Sequence, residues 1–353
     1  SYGCTLLSCG LCLNAISPKW ITVIVCFLQR VGFFTIFLST FLVGGNTQIA
    51  LVLFFVSFAI YSASAGMSNP LFAQMVGTSI HRNVGTFYGA YNMVGSLAGV
   101  VASLLLTRCL EQFEFPLSFR AVFLMGLVSA LVATVVVSVG VREVTDDRVV
   151  EHIRLRDIFP IGVQILRENR PFRNYTLVKV LVGAAEFAVP YYIIAAGELA
   201  GAPAGFVGIM TTVYLVSKVV SSLVLGRIAD RFGATRVLRC SCLCGAAAAL
   251  MVILIRDWRL AFVMYALLAV AVNGVMMSNN IACVAYSGNV RTPIYAAASG
   301  LLCAPLYVVS SFAGAAIVGR FSYTAVFLIA MAVYAVCALL LSLIHISEPT
   351  RPY

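Results

Sequence analysis

The sequence predicts an all-α integral membrane bundle, and three observations carry that prediction. Hydrophobic residues make up 61% of the 353 positions and charged residues 10%, far from the roughly 45–50% and 25% of soluble globular domains. Mean hydropathy is +1.01. Apolar runs recur at about 20 residues, the length a helix needs to cross a bilayer. They are twice the length of a barrel strand, about ten residues, and lack its alternating polarity.

Taken in order, the runs predict a helix remnant at 1–16, opening inside an apolar stretch without an initiating Met, then spans at 20–43, 48–76, 84–107 and 119–141. The stretch REVTDDRVVEHIRLRDIFPIGVQILRENRPFRN then breaks the apolar pattern. Residues 142–174 are therefore read as a linker. Spans at 175–199, 203–225, 236–255, 259–285, 293–318 and 322–340 follow it. This organisation expects an N-terminal helical lobe over 1–141 and a C-terminal lobe over 175–340. The tail LSLIHISEPTR (Leu341 to Arg351) resembles, residue for residue, one reading frame of a transposase sequencing adapter. Residues 341–353 are expected to be a non-native addition and are left out of the fold reading.

A net charge of +10 raises nucleic acid as a partner, but the cations sit at the ends of apolar runs rather than in one patch. They orient the chain instead. Fourteen fall on one side (Lys19, Arg82, Arg142, Arg148, Arg154, Arg156, Arg167, Arg170, Arg173, Arg227, Arg231, Arg236, Arg239 and Arg291) and five on the other (Arg108, Arg120, Arg256, Arg259 and Arg320). The richer side, which holds the linker, is expected to be cytoplasmic in a cell membrane, plasma or inner. The eleven cysteines lie mostly inside apolar runs and are read as free thiols. "CGLC" and "CSCLC" carry no accompanying histidine, so no metal or other cofactor is expected. His81 and His152 fall in loops, and no nucleophile constellation is visible, which argues against an enzyme. The glycosylation pattern at Asn174 falls at a helix start on the linker side and is read as unused.

Residues 226–236 read GRIADRFGATR, a charged break between two spans. A weaker echo lies near the start: Gly10, Asn14, Ser17 and Lys19 share offsets with Gly226, Asp230, Gly233 and Thr235. A second pair agrees, with Ser68 and Asn69 preceding Arg82 as Ser278 and Asn279 precede Arg291. Two parallel copies of a helical unit are what a rocking, two-lobed transporter requires. GRIADRFGATR resembles the loop motif G-x-x-x-D-R-x-G-x-[RK]-[RK] of the major facilitator superfamily, at Gly226, Asp230, Arg231, Gly233 and Arg236. Ala234 stands where that pattern often carries another basic residue. The resemblance implies a twelve-helix fold, of which this chain holds about eleven and lacks the first, with the motif between the eighth and ninth.

An aspartate at a helix end can accept bonds from a neighbouring helix's N-terminal amides, glycines permit close approach, and Arg231 and Arg236 can pair with Asp230 or with anionic headgroups. The five motif residues are thus expected to form a cytoplasmic gate, beside the plainer reading of a basic loop that fixes topology. Substrate and proton-coupling candidates are polar groups inside spans, where an ionised side chain is costly. Glu186 precedes Pro190 and Tyr191; Lys218 shares a stripe with Tyr214; Arg30 is central in its span. The resemblance implies that the seventh and eighth helices border the cavity, favouring Glu186 and Lys218 over Arg30. Glu186 is expected to carry a coupling proton or to bind a cation, with Lys218 as its partner or as an anion site; a structural Glu186–Lys218 pair is the alternative. Asn92, Asn280 and Tyr307 complete the candidates, although polar groups also join membrane helices to one another. Gly95 and Gly99 lie in "GSLAG", which lacks the proline of the family's antiporter signature.

The function expected is secondary active transport of a small solute by alternating access, coupled to a proton or another ion, by a monomer embedded in the lipid bilayer. A non-transporting membrane scaffold or an integral membrane enzyme is the alternative.

Overall fold

The computed structural model describes residues 18–80, 82–140, 155–198, 206–288 and 291–347. The helix remnant expected at 1–16, the N-terminal echo up to Ser17, His81, residues 141–154 with His152, and 348–353 lie outside the described residues. Among the described residues the regular elements are helical: α1 (Pro18–Leu42), α2 (Thr47–Ser79), α3 (Val84–Gln112), α4 (Leu117–Gly140), α5 (Leu155–Glu168), α6 (Arg170–Ala185), α7 (Val189–Glu198), α8 (Phe206–Phe232), α9 (Ala234–Leu254), α10 (Ala261–Ser287), α11 (Thr292–Arg320) and α12 (Tyr323–Ser347). Short 3₁₀ turns at Glu186–Ala188 and Trp258–Leu260 join α6 to α7 and lead into α10.

Among the described residues ten stretches are long and apolar enough to cross a membrane, close to the spans the hydropathy predicts. Differences have local causes. The stretch read as linker contains α5, whose Ile158 and Ile165 are buried while Phe159 faces outward; Asp157 in its first turn and Arg167 in its last complement the helix dipole. Helix α6 starts five residues before the predicted span because the Asn169 side chain caps it, accepting from Phe172 N–H at 3.0 Å, with Pro171 in the first turn where its missing N–H goes unnoticed. Helix α8 continues through Asp230 to Phe232 and α9 begins at Ala234, so Gly233 is the one residue of the loop motif outside a helix. Helix α12 runs to Ser347, beyond the predicted boundary at 340.

The helices pack as two compact units: described residues within Ser1–Ser79, Leu104–Ile165 and Ser287–Leu301 form one, and those within Ile80–Ser103, Leu166–Tyr286 and Leu302–Tyr353 the other. In the first, α1 lies against α2 and α4. A Cβ at Gly32 would come within 3.0 Å of the Tyr61 backbone nitrogen, so the missing side chain lets α1 and α2 approach closely. Arg120 ties α4 to the end of α1, donating to Thr40 O at 3.3 Å and lying 4.4 Å over the Phe41 ring. In the second unit α9 packs on α12 and α12 on α6. Gly245 leaves room for the Tyr334 ring, and Tyr192 meets Phe327 edge-on at 4.8 Å. Many large apolar side chains point outward, among them Phe27, Val139 and Phe312, as a hydrocarbon solvent allows.

Candidate functional site

Two polar sites stand out, both within the second unit. The first is built on GRIADRFGATR. Helix α3 begins at Val84, so the N–H groups of Gly85 and Thr86 have no acceptor within their own helix. Asp230, in the last turn of α8, supplies one: its Oδ1 accepts from Gly85 N and its Oδ2 from Thr86 N, each at 2.7 Å, and Oδ2 also accepts from the Thr86 hydroxyl. A carboxylate at a helix N-terminus meets both orphan donors and the positive end of the dipole.

Glycines make that reach possible. A Cβ on Gly85 would lie 2.5 Å from Gly226 O, one on Gly89 2.6 Å from Ser222 O, and one on Gly226 2.7 Å from Gly85 O. Backbone therefore rests on backbone where α3 crosses α8. Gly233 turns the chain from α8 into α9 at φ 84, a left-handed conformation that favours glycine. Arg231 is exposed, and the Arg236 guanidinium lies 4.5 Å over the Phe232 ring. Among the described residues no ion pair joins either arginine to Asp230, whose carboxylate is taken up by α3.

The second site surrounds Glu186. Pro190 has no N–H to give the Glu186 carbonyl four residues back, and its ring crowds that carbonyl. The α-helix yields to a 3₁₀ turn there: Val189 N–H donates to Glu186 O instead, and α7 resumes beyond. At this break the Glu186 carboxylate accepts from Tyr307 OH of α11 at 2.8 Å. Gly183, one turn earlier, leaves space for the Tyr307 ring, which a Cβ would meet at 3.1 Å. Tyr214 of α8 is within electrostatic reach of the carboxylate. Three of the sequence candidates, Glu186, Tyr214 and Tyr307, thus come together.

The ammonium acting on Glu186 belongs to Lys179, not Lys218. Lys179 is buried on α6, which ends one residue before Glu186, and donates to Asn279 Oδ1 at 2.7 Å; Tyr175, a turn before it, donates to Ser278 Oγ at 3.0 Å. The amide that meets the cation is therefore Asn279, with Asn280 half-buried beside it. Lys218 is half-buried, and its carbonyl accepts from Ser221 and Ser222. Among the described residues no ion pair joins it to Glu186. Lys179 was legible as the seventh residue before Glu186, two turns along one face, but the sequence candidates omit it.

The remaining candidates are dispersed. Tyr191 lies 6.1 Å from the Tyr323 ring, and Asn92 is half-buried on α3. Arg30 belongs to the other unit, where it braces α1 against α4: its Nε donates to Ala130 O at 2.9 Å and Thr134 Oγ1 at 3.1 Å, and its Nη1 to Gln29 Oε1 at 2.7 Å. Asn273 likewise joins helices, donating to Ser221 and Ser222. Among the described residues no cluster of His, Cys, Asp and Glu has the makings of a metal site.

The sequence pattern of the Major Facilitator Superfamily matches residues 176–353, just over half the chain. No curated protein sequence matches it. Among solved structures, the chain resembles the E. coli fucose:proton symporter FucP, with 15% identity and a TM-score of 0.71, covering 98% of this chain and 88% of that one. It also resembles the human organic anion transporter MFSD10 (14% identity, TM-score 0.72, 96% of this chain and 80% of that one) and a bacterial homologue of the iron transporter ferroportin (13%, 0.65, 98% and 89%). These likenesses, with ten membrane-length helices, define a multi-pass membrane protein with a transporter fold. The chain belongs to the major facilitator superfamily.

Proposed function

We propose that this protein is a secondary active transporter that moves a small solute across a cell membrane by alternating access, coupled to protons through Glu186. In this reading lobes 1–141 and 175–340 rock about the polar cluster on α6, α8, α10 and α11. The arginine-rich side with linker 142–174 is cytoplasmic, and the protein works as a monomer. The observation that carries the reading is the bond from Asp230 on α8 to the first turn of α3. It joins a helix of one proposed lobe to a helix of the other through contacts that can be made and released as a unit, as a gate requires. Glu186 supports the coupling: it is an ionisable group inside a span, at a helix break, with a hydroxyl donor on its carboxylate. Likeness of fold to the fucose:proton symporter supports proton coupling.

The test uses the full chain reconstituted in liposomes loaded with a pH-sensitive dye. Sugars and organic acids are added one at a time. Solute-dependent proton entry is expected from the unaltered chain and is lost in Glu186→Gln. Solute flux with no proton movement would remove the coupling role; product formation without flux would favour an enzyme, and neither would leave a scaffold.

A further inference from the structure

Lys218 carries a charge that its surroundings do not neutralise. It sits near the middle of α8, inside a membrane-length stretch, where an ionised side chain is costly unless a counter-charge meets it. Among the described residues its ammonium makes no hydrogen bond and no ion pair, and the in-span acid Glu186 answers to Tyr307 and Lys179 instead. One turn earlier on α8 lies Tyr214, about 6 Å away along the axis and about 40° around it. Its hydroxyl likewise has no hydrogen-bond partner among the described residues, and the Glu186 carboxylate is within electrostatic reach. The next turn is satisfied: Ser221 and Ser222 donate to Lys218 O at 3.1 and 2.7 Å and accept from the Asn273 amide at 3.1 and 2.9 Å. What this stretch leaves unspent is an ammonium and a phenol.

The face that Lys218 and Tyr214 share is turned inward. Val216, Val220 and Val224, 48% to 59% exposed, line the opposite side of α8. Along the inward side Thr211 is exposed, Tyr214 and Lys218 are half-buried, and Ser222, Leu225 and Ala229 are buried. The face is thus open at the start of α8 and shut where Asp230 caps α3. Lys218 and Tyr214 border an opening that a solute can enter from one end.

We propose that Lys218 and Tyr214 form a subsite for an acidic group, and that the solute carried bears a carboxylate. The inference rests on the transport reading above and names the chemical class of its solute. A carboxylate brings the counter-charge that Lys218 lacks, and its two oxygens accept from the ammonium and from the Tyr214 hydroxyl. A neutral polyol would leave the charge unmet. One positive charge is matched by one negative charge, so a dianionic phosphate would carry an excess into the span.

Two readouts on the full chain in detergent test the site. The chain has three lysines, Lys19, Lys179 and Lys218, so acetylation of Lys218 by an uncharged N-hydroxysuccinimide ester can be followed by peptide mass spectrometry with Lys19 as the internal reference. Formate, acetate, lactate and benzoate are each compared with the matching amide, and with inorganic phosphate, at equal ionic strength. A carboxylate should slow acetylation of Lys218 in a saturable way, its amide should not, and Lys19 should react alike throughout. In Tyr214→Phe the concentration that gives half-protection should rise about tenfold, the scale of one hydrogen bond to a charged group. The second readout is the thermal midpoint. Lys218→Met removes an unmet charge, so the midpoint of the empty protein should rise, while the further rise that a bound carboxylate gives the unaltered chain should vanish. Lys218→Arg should keep that further rise. Protection by no carboxylate, equal protection by the amide, or stronger protection by phosphate overturns the proposal. So does unchanged protection in Tyr214→Phe. A lowered midpoint or a failure to fold in Lys218→Met also overturns it, because the ammonium would then have a partner within the fold. Solute-driven proton entry that persists without protection leaves transport standing, whereas protection without flux of any solute keeps the site and removes the transport reading.

Discussion

At the scale of residues, two glycines ten positions apart on α3 have opposite expectations. Gly85 faces backbone, with Gly226 O 2.5 Å and the Ala229 Cβ 2.7 Å from where its own Cβ would stand, while Gly95 has nothing within 4 Å. Overpacking against backbone costs about 1–3 kcal/mol. In an open helical position alanine is favoured over glycine by roughly 0.5–1 kcal/mol. Gly85→Ala should therefore lower the thermal midpoint in detergent and Gly95→Ala should hold or raise it. Equal effects at the two sites would show that α3 and α8 are not packed backbone to backbone. Both glycines stand in glycine-x-x-x-glycine runs in the sequence, and only the structure separates them, because which face of a helix meets a neighbour is not written in composition. The same blindness hid Lys179. Helices α6 and α8 each carry one in-span lysine, and the stripe it shares with Tyr214 made Lys218 conspicuous. The rotation of α6, which turns Lys179 to Asn279, could be read only through its seven-residue spacing from Glu186.

At the scale of elements, caps and breakers were readable where they follow local chemistry. "ENRPF" holds a capping asparagine and a first-turn proline, enough to start α6 at Arg170 rather than at the first long apolar run. "GATR" places glycine at the one turn between α8 and α9 whose φ is positive. Pro190 announces the break at Glu186 because its ring excludes the regular bond to the carbonyl four residues earlier. Replacing it should restore that bond. Pro190→Ala gives position 190 an N–H for the Glu186 carbonyl, removing a penalty of about 3 kcal/mol for an interior proline. The thermal midpoint should rise and the 3₁₀ turn should revert to α-helix, carrying the Glu186 side chain away from Tyr307. Proton-coupled flux should fall even as stability rises. A variant with raised stability and unchanged flux would mean that the Glu186–Tyr307 contact does not depend on the break.

At the scale of the whole molecule, the span pattern and the family were legible because hydrocarbon demands long apolar helices whatever their partners. How those helices assort was not. Runs that are apolar on every side carry no moment to say which face meets lipid, so the sequence could expect an aspartate to bond a neighbouring helix without naming α3. The structure names it, through Gly85 and Thr86, and that makes the proposed gate testable. If α3 and α8 must part at this point in each transport cycle, tying them together must stop the cycle. In Thr86→Cys/Asp230→Cys the two new thiols replace groups that touch, and mild oxidation should join them, as peptide mass spectrometry would verify. Solute-driven proton entry into liposomes should then fall to background, and return when the bond is reduced. Each single cysteine variant, treated in the same way, controls for the loss of Asp230 and for oxidation of native thiols. Undiminished flux through the oxidised double variant would mean that α3 and α8 stay together throughout transport, and Asp230 would then be a fixed cap on α3 with no part in gating.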